Sequence, residues 1–195
     1  MVTGIVLAAG MSTRMGQLKQ LLPLGGRPAI RWIVEVVCSR LEHVVVVLGH
    51  RAGDIASTLA DCGAQCVVNP EYRSGMLSSV QCGVRQSSAA ADYLICLGDQ
   101  PALEGSVIDQ VLNAGLDSGK GIAIPTWQGK RGHPILIGNA YRAEILSLPL
   151  ELGLNRVTRG HPEDVCEVTV QLATVLEDMD TPDDYQRELN RWEKQ

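Results

Sequence analysis

Five short, almost wholly apolar runs recur along the chain: TGIVLA (3–8), HVVVVLG (43–49), QCVVN (65–69), DYLICLG (92–98) and GIAIPT (121–126). A run with little polar alternation describes a strand covered on both faces, as in a parallel sheet between helices. Between these runs lie stretches with helical spacing at 28–41, 51–61, 76–89 and 103–116, the first with Pro28 at the N1 position. HPILIG (133–138) and DVCEVTV (164–170) read as two later strands, with a short helix at 139–148 between them. Residues 149–163 have the composition of a loop or lid, and TPDDYQRELNRWEKQ (181–195) reads as a polar terminal helix. The alternation gives an α/β fold, a doubly wound, mostly parallel sheet flanked by helices. In such a sheet ligands bind outside the carboxyl ends of the strands. Two strand ends stand out, Leu7–Gly10 and Leu97–Pro101.

The 195 residues fit a single domain over 1–195. Phe is absent, so Val, Ile, Leu and Ala must fill the core. A net charge of −5 argues against a nucleic-acid binder, which needs a basic face. It also requires that any anionic ligand be held by a local cluster of cations. The six cysteines form no C-x-x-C pair and mostly sit in apolar runs, which fits free thiols in a reducing compartment. No leader pattern opens the chain and no apolar run reaches about 18 residues. A cytoplasmic protein without a membrane partner is expected.

The loop after the first run holds Gly10, Ser12, Thr13, Arg14, Gly16 and Lys19. Its spacing is neither of the common dinucleotide or P-loop signatures. The parts still suit a polyphosphate. Glycines allow close main-chain approach, hydroxyls donate, Arg14 offers a planar fork and Lys19 a point charge. A plain turn with two solvated cations is the alternative. Leu21, Leu22 and Leu24 must bury, which pins the loop and pre-organises it.

Asp99 ends a buried run and is closed off by Pro101. It reads either as the N-cap of the helix after it or as an oxygen ligand for a hard cation such as Mg²⁺. Asp180 can cap the terminal helix, and Asp178 shares its side of an extended segment. Asp183 and Asp184 read as first-turn acids and nothing more. Leu7, Ala8 and Ala9 present backbone to a base edge. Ser78 and Ser79, with Gln81, lie at a helix start, where capping competes with nucleotide contact. Gly132 and His133 are acceptor-side candidates, His133 equally a structural residue. Arg156, Arg159 and His161 in the lid-like stretch read as a solvated face, with contact to an anionic substrate as the alternative.

The stretch LAAGMSTRMGQLKQLLPLGGRPAI (7–30) resembles the signature of nucleotidylyltransferases with a glycosyltransferase-A-like Rossmann fold, most similarly the molybdenum cofactor cytidylyltransferase-like family. The resemblance continues through NPEYRSGMLSSVQCG (69–83), GDQPAL (98–103), GHPIL (132–136) and DMDTPDDY (178–185), in the family's order. It implies a nucleotide-diphospho-sugar transferase-like fold and a Mg²⁺-dependent transfer of CMP from CTP to the phosphate of molybdopterin, releasing pyrophosphate. It implies Asp99 and Asp180 as metal ligands, Arg14 and Lys19 on the phosphates, Ser78 and Ser79 in the base-contacting block and a molybdoenzyme as recipient. The LAAG spelling leans towards cytidine over guanosine by resemblance alone. Three rivals share parts of the pattern. They are transfer to a sugar or alditol phosphate, a non-catalytic cofactor carrier, and a glycosyltransferase using the D-x-D of Asp178 and Asp180.

Overall fold

The computed structural model describes residues 1–194. Its elements are β1 (Val2–Ala8), β2 (Pro23–Leu24), β3 (Arg27–Pro28), α1 (Ala29–Cys38), β4 (His43–Leu48), α2 (Ala52–Thr58), β5 (Gln65–Val68), α3 (Met76–Gln86), β6 (Asp92–Leu97) and α4 (Gly105–Ser118). They continue as β7 (Ile122–Trp127), β8 (Lys130–Arg131), β9 (Ile135–Ile137), α5 (Arg142–Ser147), α6 (Asn155–Gly160), β10 (Val165–Thr169) and α7 (Pro182–Trp192). The expected terminal helix is therefore α7, and Gln195 lies outside the described residues.

The main sheet runs β10-β7-β9-β6-β1-β4-β5, with β8 on β7. β1 lies parallel to both β4 and β6, β5 parallel to β4, and β10 parallel to β7. β9 enters antiparallel between β6 and β7. The doubly wound, mostly parallel architecture is thus present.

Strand periodicity divides the core. Val6 and Ala8 of β1 join Val44, Val46 and Leu48 of β4 under α1, α2 and α4. Ile5 joins Val45 and Val47 on the other face, against α3, α5 and α6. Both faces are covered, which is why the strand sequences show no polar alternation. A third cluster joins Met15, Leu22, Leu24 and Met179 with Trp32, Tyr185, Leu189 and Trp192, docking α7 on the β2–β3 hairpin.

Two local readings change. Pro28 is the N-cap of α1, not its first helical residue, because it is extended (ψ 136°) and paired with Pro23. The lid-like stretch 149–163 contains α6, whose Val157 and Thr158 are buried. Its six residues hold a single apolar side chain, Val157, too few for a periodic signal.

The chain steps from β1 to β4 and β5 on one side, then crosses back to β6 on the other. The reversal falls between β1 and β6, and a crevice opens there at their carboxyl ends. Gly98 donates its N–H to the Leu7 carbonyl (2.9 Å) and so ties the two ends together. A Cβ at Gly98 would stand 2.8 Å from that same carbonyl oxygen. The close approach requires glycine.

Candidate active site

The crevice has a volume of about 410 Å³. Leu7, Ala9 and Gly10 form its floor on the β1 side, and Leu97 and Asp99 form it on the β6 side. Ala8 turns its side chain into the core instead.

The loop between β1 and β2 is built from within. Ser12 takes a left-handed conformation (φ 54°), as does Gly16 (φ 72°). The Ser12 hydroxyl accepts from the Lys19 N–H (3.1 Å) and donates to Gln20 Oε1 (3.2 Å). Its carbonyl accepts from Met15 N–H (3.1 Å). Ser12 was expected to offer its hydroxyl to a nucleotide; it lies outside the crevice lining, and the hydroxyl is engaged in shaping the loop. Leu18, Leu22 and Leu24 bury and anchor the loop, while Leu21 is only partly covered. The loop thereby presents Lys19 inward, nearly buried, and Arg14 outward.

Across from the loop stand three carboxylates. Asp99 follows β6, and Asp178 and Asp180 precede α7. Met179 is buried, and its N–H donates to the Asp99 carbonyl (2.9 Å). With Met179 turned into the core, both flanking carboxylates line the crevice. Lys19 Nζ donates to Asp99 Oδ2 and to Asp180 Oδ1, the latter at 2.6 Å. Arg14 Nη2 donates to Asp180 Oδ2 at 2.6 Å. Gln100 Nε2 donates to Asp178 Oδ1 at 2.9 Å.

The charges tune one another. Burial disfavours the charged form of Lys19, but Asp99 and Asp180 outweigh it and hold its ammonium above the usual range. Burial pushes against ionised Asp180 in the same way, and Lys19 and Arg14 hold its carboxyl below the usual range. Asp178 is different. Burial, reinforced by the Asp99 charge, moves it upward. The atoms that the three carboxylates could offer a metal are all oxygen, and the Asp99 and Asp180 oxygens converge within reach of a single ammonium. That set suits a hard divalent cation whose other positions go to phosphate and water. Among the described residues no cluster of three or more His, Cys, Asp or Glu is arranged to enclose a metal alone. The two carboxylates fit a shared site, not a closed one.

The remaining candidates divide. Ser79 lines the crevice and accepts from Asn69 Nδ2 at 3.1 Å. Ser78 does not line it: its hydroxyl accepts from Asn69 Nδ2 (2.8 Å) and faces the Gly75 carbonyl (2.8 Å), clamping the turn before α3. Gln81 is likewise internal, donating to the Ile145 and Leu148 carbonyls. Gly132 and His133 lie outside the crevice lining. The close approach at Gly132 is to protein: a Cβ there would come within 2.3 Å of the Val175 carbonyl oxygen. His133 N–H donates to that oxygen (3.0 Å), and burial, opposed by Asp99, lowers the ring to about 4. Asp184, expected to be only a first-turn acid, binds the backbone of Asp180 and Thr181.

Residues 4–165 match the MobA-like NTP transferase domain. The chain belongs to that family. It is a nucleotidylyltransferase. A molybdenum cofactor cytidylyltransferase of Escherichia coli is 26% identical over 93% of this chain and 92% of its own. A nicotine blue oxidoreductase of Paenarthrobacter nicotinovorans is 29% identical, covering 96% of each. The crystal structure of Rv0371c from Mycobacterium tuberculosis superposes with a TM-score of 0.84 at 26% identity, over 97% of each chain. That protein has also been crystallised as a manganese complex, which superposes at 0.79. Asp178 and Asp180 lie beyond the matched domain, on the segment that leads into α7.

Several crevice residues lie inside the family-like blocks without having been singled out there. Met11, Gln20, Tyr72, Arg73 and Met76 line it. Arg73 adds a third cation to the site, and it sits in the block that resembles the family's. Gln20 and Asn69 act by hydrogen bonds to partners that only folding brings near.

Proposed function

We propose that the chain transfers CMP from CTP to the phosphate of molybdopterin, with Mg²⁺ and release of pyrophosphate, for delivery to a molybdoenzyme in the cytoplasm. One observation carries the reading: Lys19 and Arg14 converge on Asp99 and Asp180 at the crevice between β1 and β6. The similarity to the E. coli cytidylyltransferase along nearly the whole of both chains supports the choice of substrate.

An oxygen of the acceptor phosphate attacks the α-phosphorus of CTP. The bond to the bridging oxygen breaks and its electrons leave with pyrophosphate. The acceptor is already ionised at neutral pH, so the protein needs no base. It must align the two phosphates and neutralise the charge that grows on the leaving group. Asp99 and Asp180 would hold the divalent cation, whose contribution is to neutralise triphosphate oxygens. Arg14, free on its solvent side, and Lys19 bind the β- and γ-phosphates. The backbone of Leu7 and Ala9, with Gly10 and Ser79, borders the base.

The test is a panel of the four nucleoside triphosphates with molybdopterin, its molybdenum-loaded form and sugar phosphates, scoring pyrophosphate. Release that requires CTP and a pterin acceptor is expected. Release with a sugar or alditol phosphate assigns the acceptor differently, and no release with any triphosphate overturns the reading.

A further inference from the structure

The first turn of α7 does more than cap a helix. Asp184 Oδ2 accepts from the Asp180 N–H (3.1 Å), the Thr181 N–H (2.8 Å) and the Thr181 hydroxyl (2.7 Å). The other oxygen, Oδ1, accepts from Arg187 Nη1 at 2.6 Å. The second arm of Arg187, Nη2, donates to the Asp178 carbonyl at 3.0 Å. One ion pair on α7 thus grips the main chain at Asp178, Asp180 and Thr181. Met179, between them, is fixed to Asp99 by its own N–H.

A helix N-cap needs only part of this. Thr181 accepts from the Asp184 N–H (3.2 Å), and Asp184 reaches back to the Thr181 N–H, which completes a capping box. The bonds to Asp180 N–H and to the Asp178 carbonyl lie outside the box, on the two residues whose carboxylates face the crevice. We propose that Asp184 and Arg187 are positioning residues, which fix the backbone of Asp178–Asp180 so that the Asp180 carboxylate meets Asp99 across one cation. The inference rests on the reading of Asp99 and Asp180 as the divalent-cation ligands. Partners that orient a ligating carboxylate typically change metal affinity by roughly 10- to 100-fold when lost.

The experiment compares Asp184→Ala, Arg187→Gln, Thr181→Ala and Asp180→Asn in the full chain. The readouts are Mn²⁺ affinity without nucleotide, melting temperature, and kcat and KM for CTP. Thr181→Ala removes the cap hydroxyl and leaves the grip on Asp180. It is expected to melt earlier with Mn²⁺ affinity within about twofold of the unmodified protein. Asp184→Ala is expected to lose about 10- to 100-fold in Mn²⁺ affinity, and Arg187→Gln a smaller factor in the same direction. If Asp184→Ala does not fold, Arg187→Gln alone decides. Loss of Mn²⁺ affinity in Asp180→Asn, with Asp184→Ala and Arg187→Gln matching Thr181→Ala, overturns the positioning role and leaves the ligand assignment standing. Unchanged affinity in Asp180→Asn overturns both.

Discussion

Lys19 is nearly buried between Asp99 and Asp180, so its charge does two things at once. It offsets the repulsion of two carboxylates and it offers an ammonium to phosphate. Lys19→Met keeps the apolar stem and removes the charge. The expected result is a fall of about 10- to 150-fold in kcat/KM for CTP, from one lost charged hydrogen bond. Lys130 is exposed and serves as the control; Lys120 does not, because its ammonium donates to the Val165 carbonyl. Asp99→Asn keeps the shape but halves the carboxylate pair, and turnover should drop about 30- to 1000-fold with the melting temperature little changed. Asp183, exposed on the first turn of α7, should tolerate Asn without effect on turnover. Equal turnover in the Asp99→Asn and Asp183→Asn proteins would remove Asp99 from the chemistry. At this scale the sequence was informative where a residue type was itself the signal. Arg14, Lys19, Asp99 and Asp180 all line the crevice, and in each the charge itself was the signal. Ser12, Ser78 and Gly132 lie outside the crevice lining, their hydroxyls or close approaches taken up within the chain, which a residue type alone does not reveal. At Asp184 the Thr181-x-x-Asp184 spacing signals a capping box, but not the further bond to the Asp180 N–H.

Helix α7 is held at both ends. Its first turn is fixed by the capping box, and Tyr185 donates its hydroxyl to the Pro23 carbonyl at 2.5 Å. Its last turn sets Trp192 against Trp32, ring centres 5.3 Å apart, over Gly25. Trp192→Ala should lower stability by about 2–3 kcal/mol, a partly buried indole costing less than a core one, read as a lower denaturant midpoint. Turnover per folded molecule should fall less, since Trp192 does not line the crevice. The acid limb tests the other end. Burial would raise Asp184, but Thr181 and Arg187 outweigh it and lower it to about 2 from 3.8. A depressed carboxylate stabilises the fold above its unfolded pKa, and the contribution is lost as pH falls from about 4 to about 2. Asp184→Asn should therefore flatten the pH dependence of stability in that window. The long strands were legible because burial on both faces removes polar residues from them. β2, β3 and β8 were not, being two residues each and too short to carry a period.

Across the whole molecule, burial also governs the thiols. Cys38, Cys62, Cys66, Cys82 and Cys96 are all moved upward by it, Cys96 most. A thiolate-selective reagent at pH 7 should react slowly with these five in the native protein, and Cys96 should be labelled only after unfolding. Rapid labelling of Cys96 in the native state would show that β6 opens locally. The same scale gives a different meaning to the contact between Arg14 and Asp180, which are 166 positions apart. The polypeptide is made from its amino end, and the sheet strands that flank the crevice are all synthesised before Asp178. Until Asp180 has emerged, the growing chain holds its loop cations without one of the two carboxylates that face them. The centre can therefore be finished only after the segment that follows β10 has docked on the β1 loop, which makes its assembly a report on long-range folding.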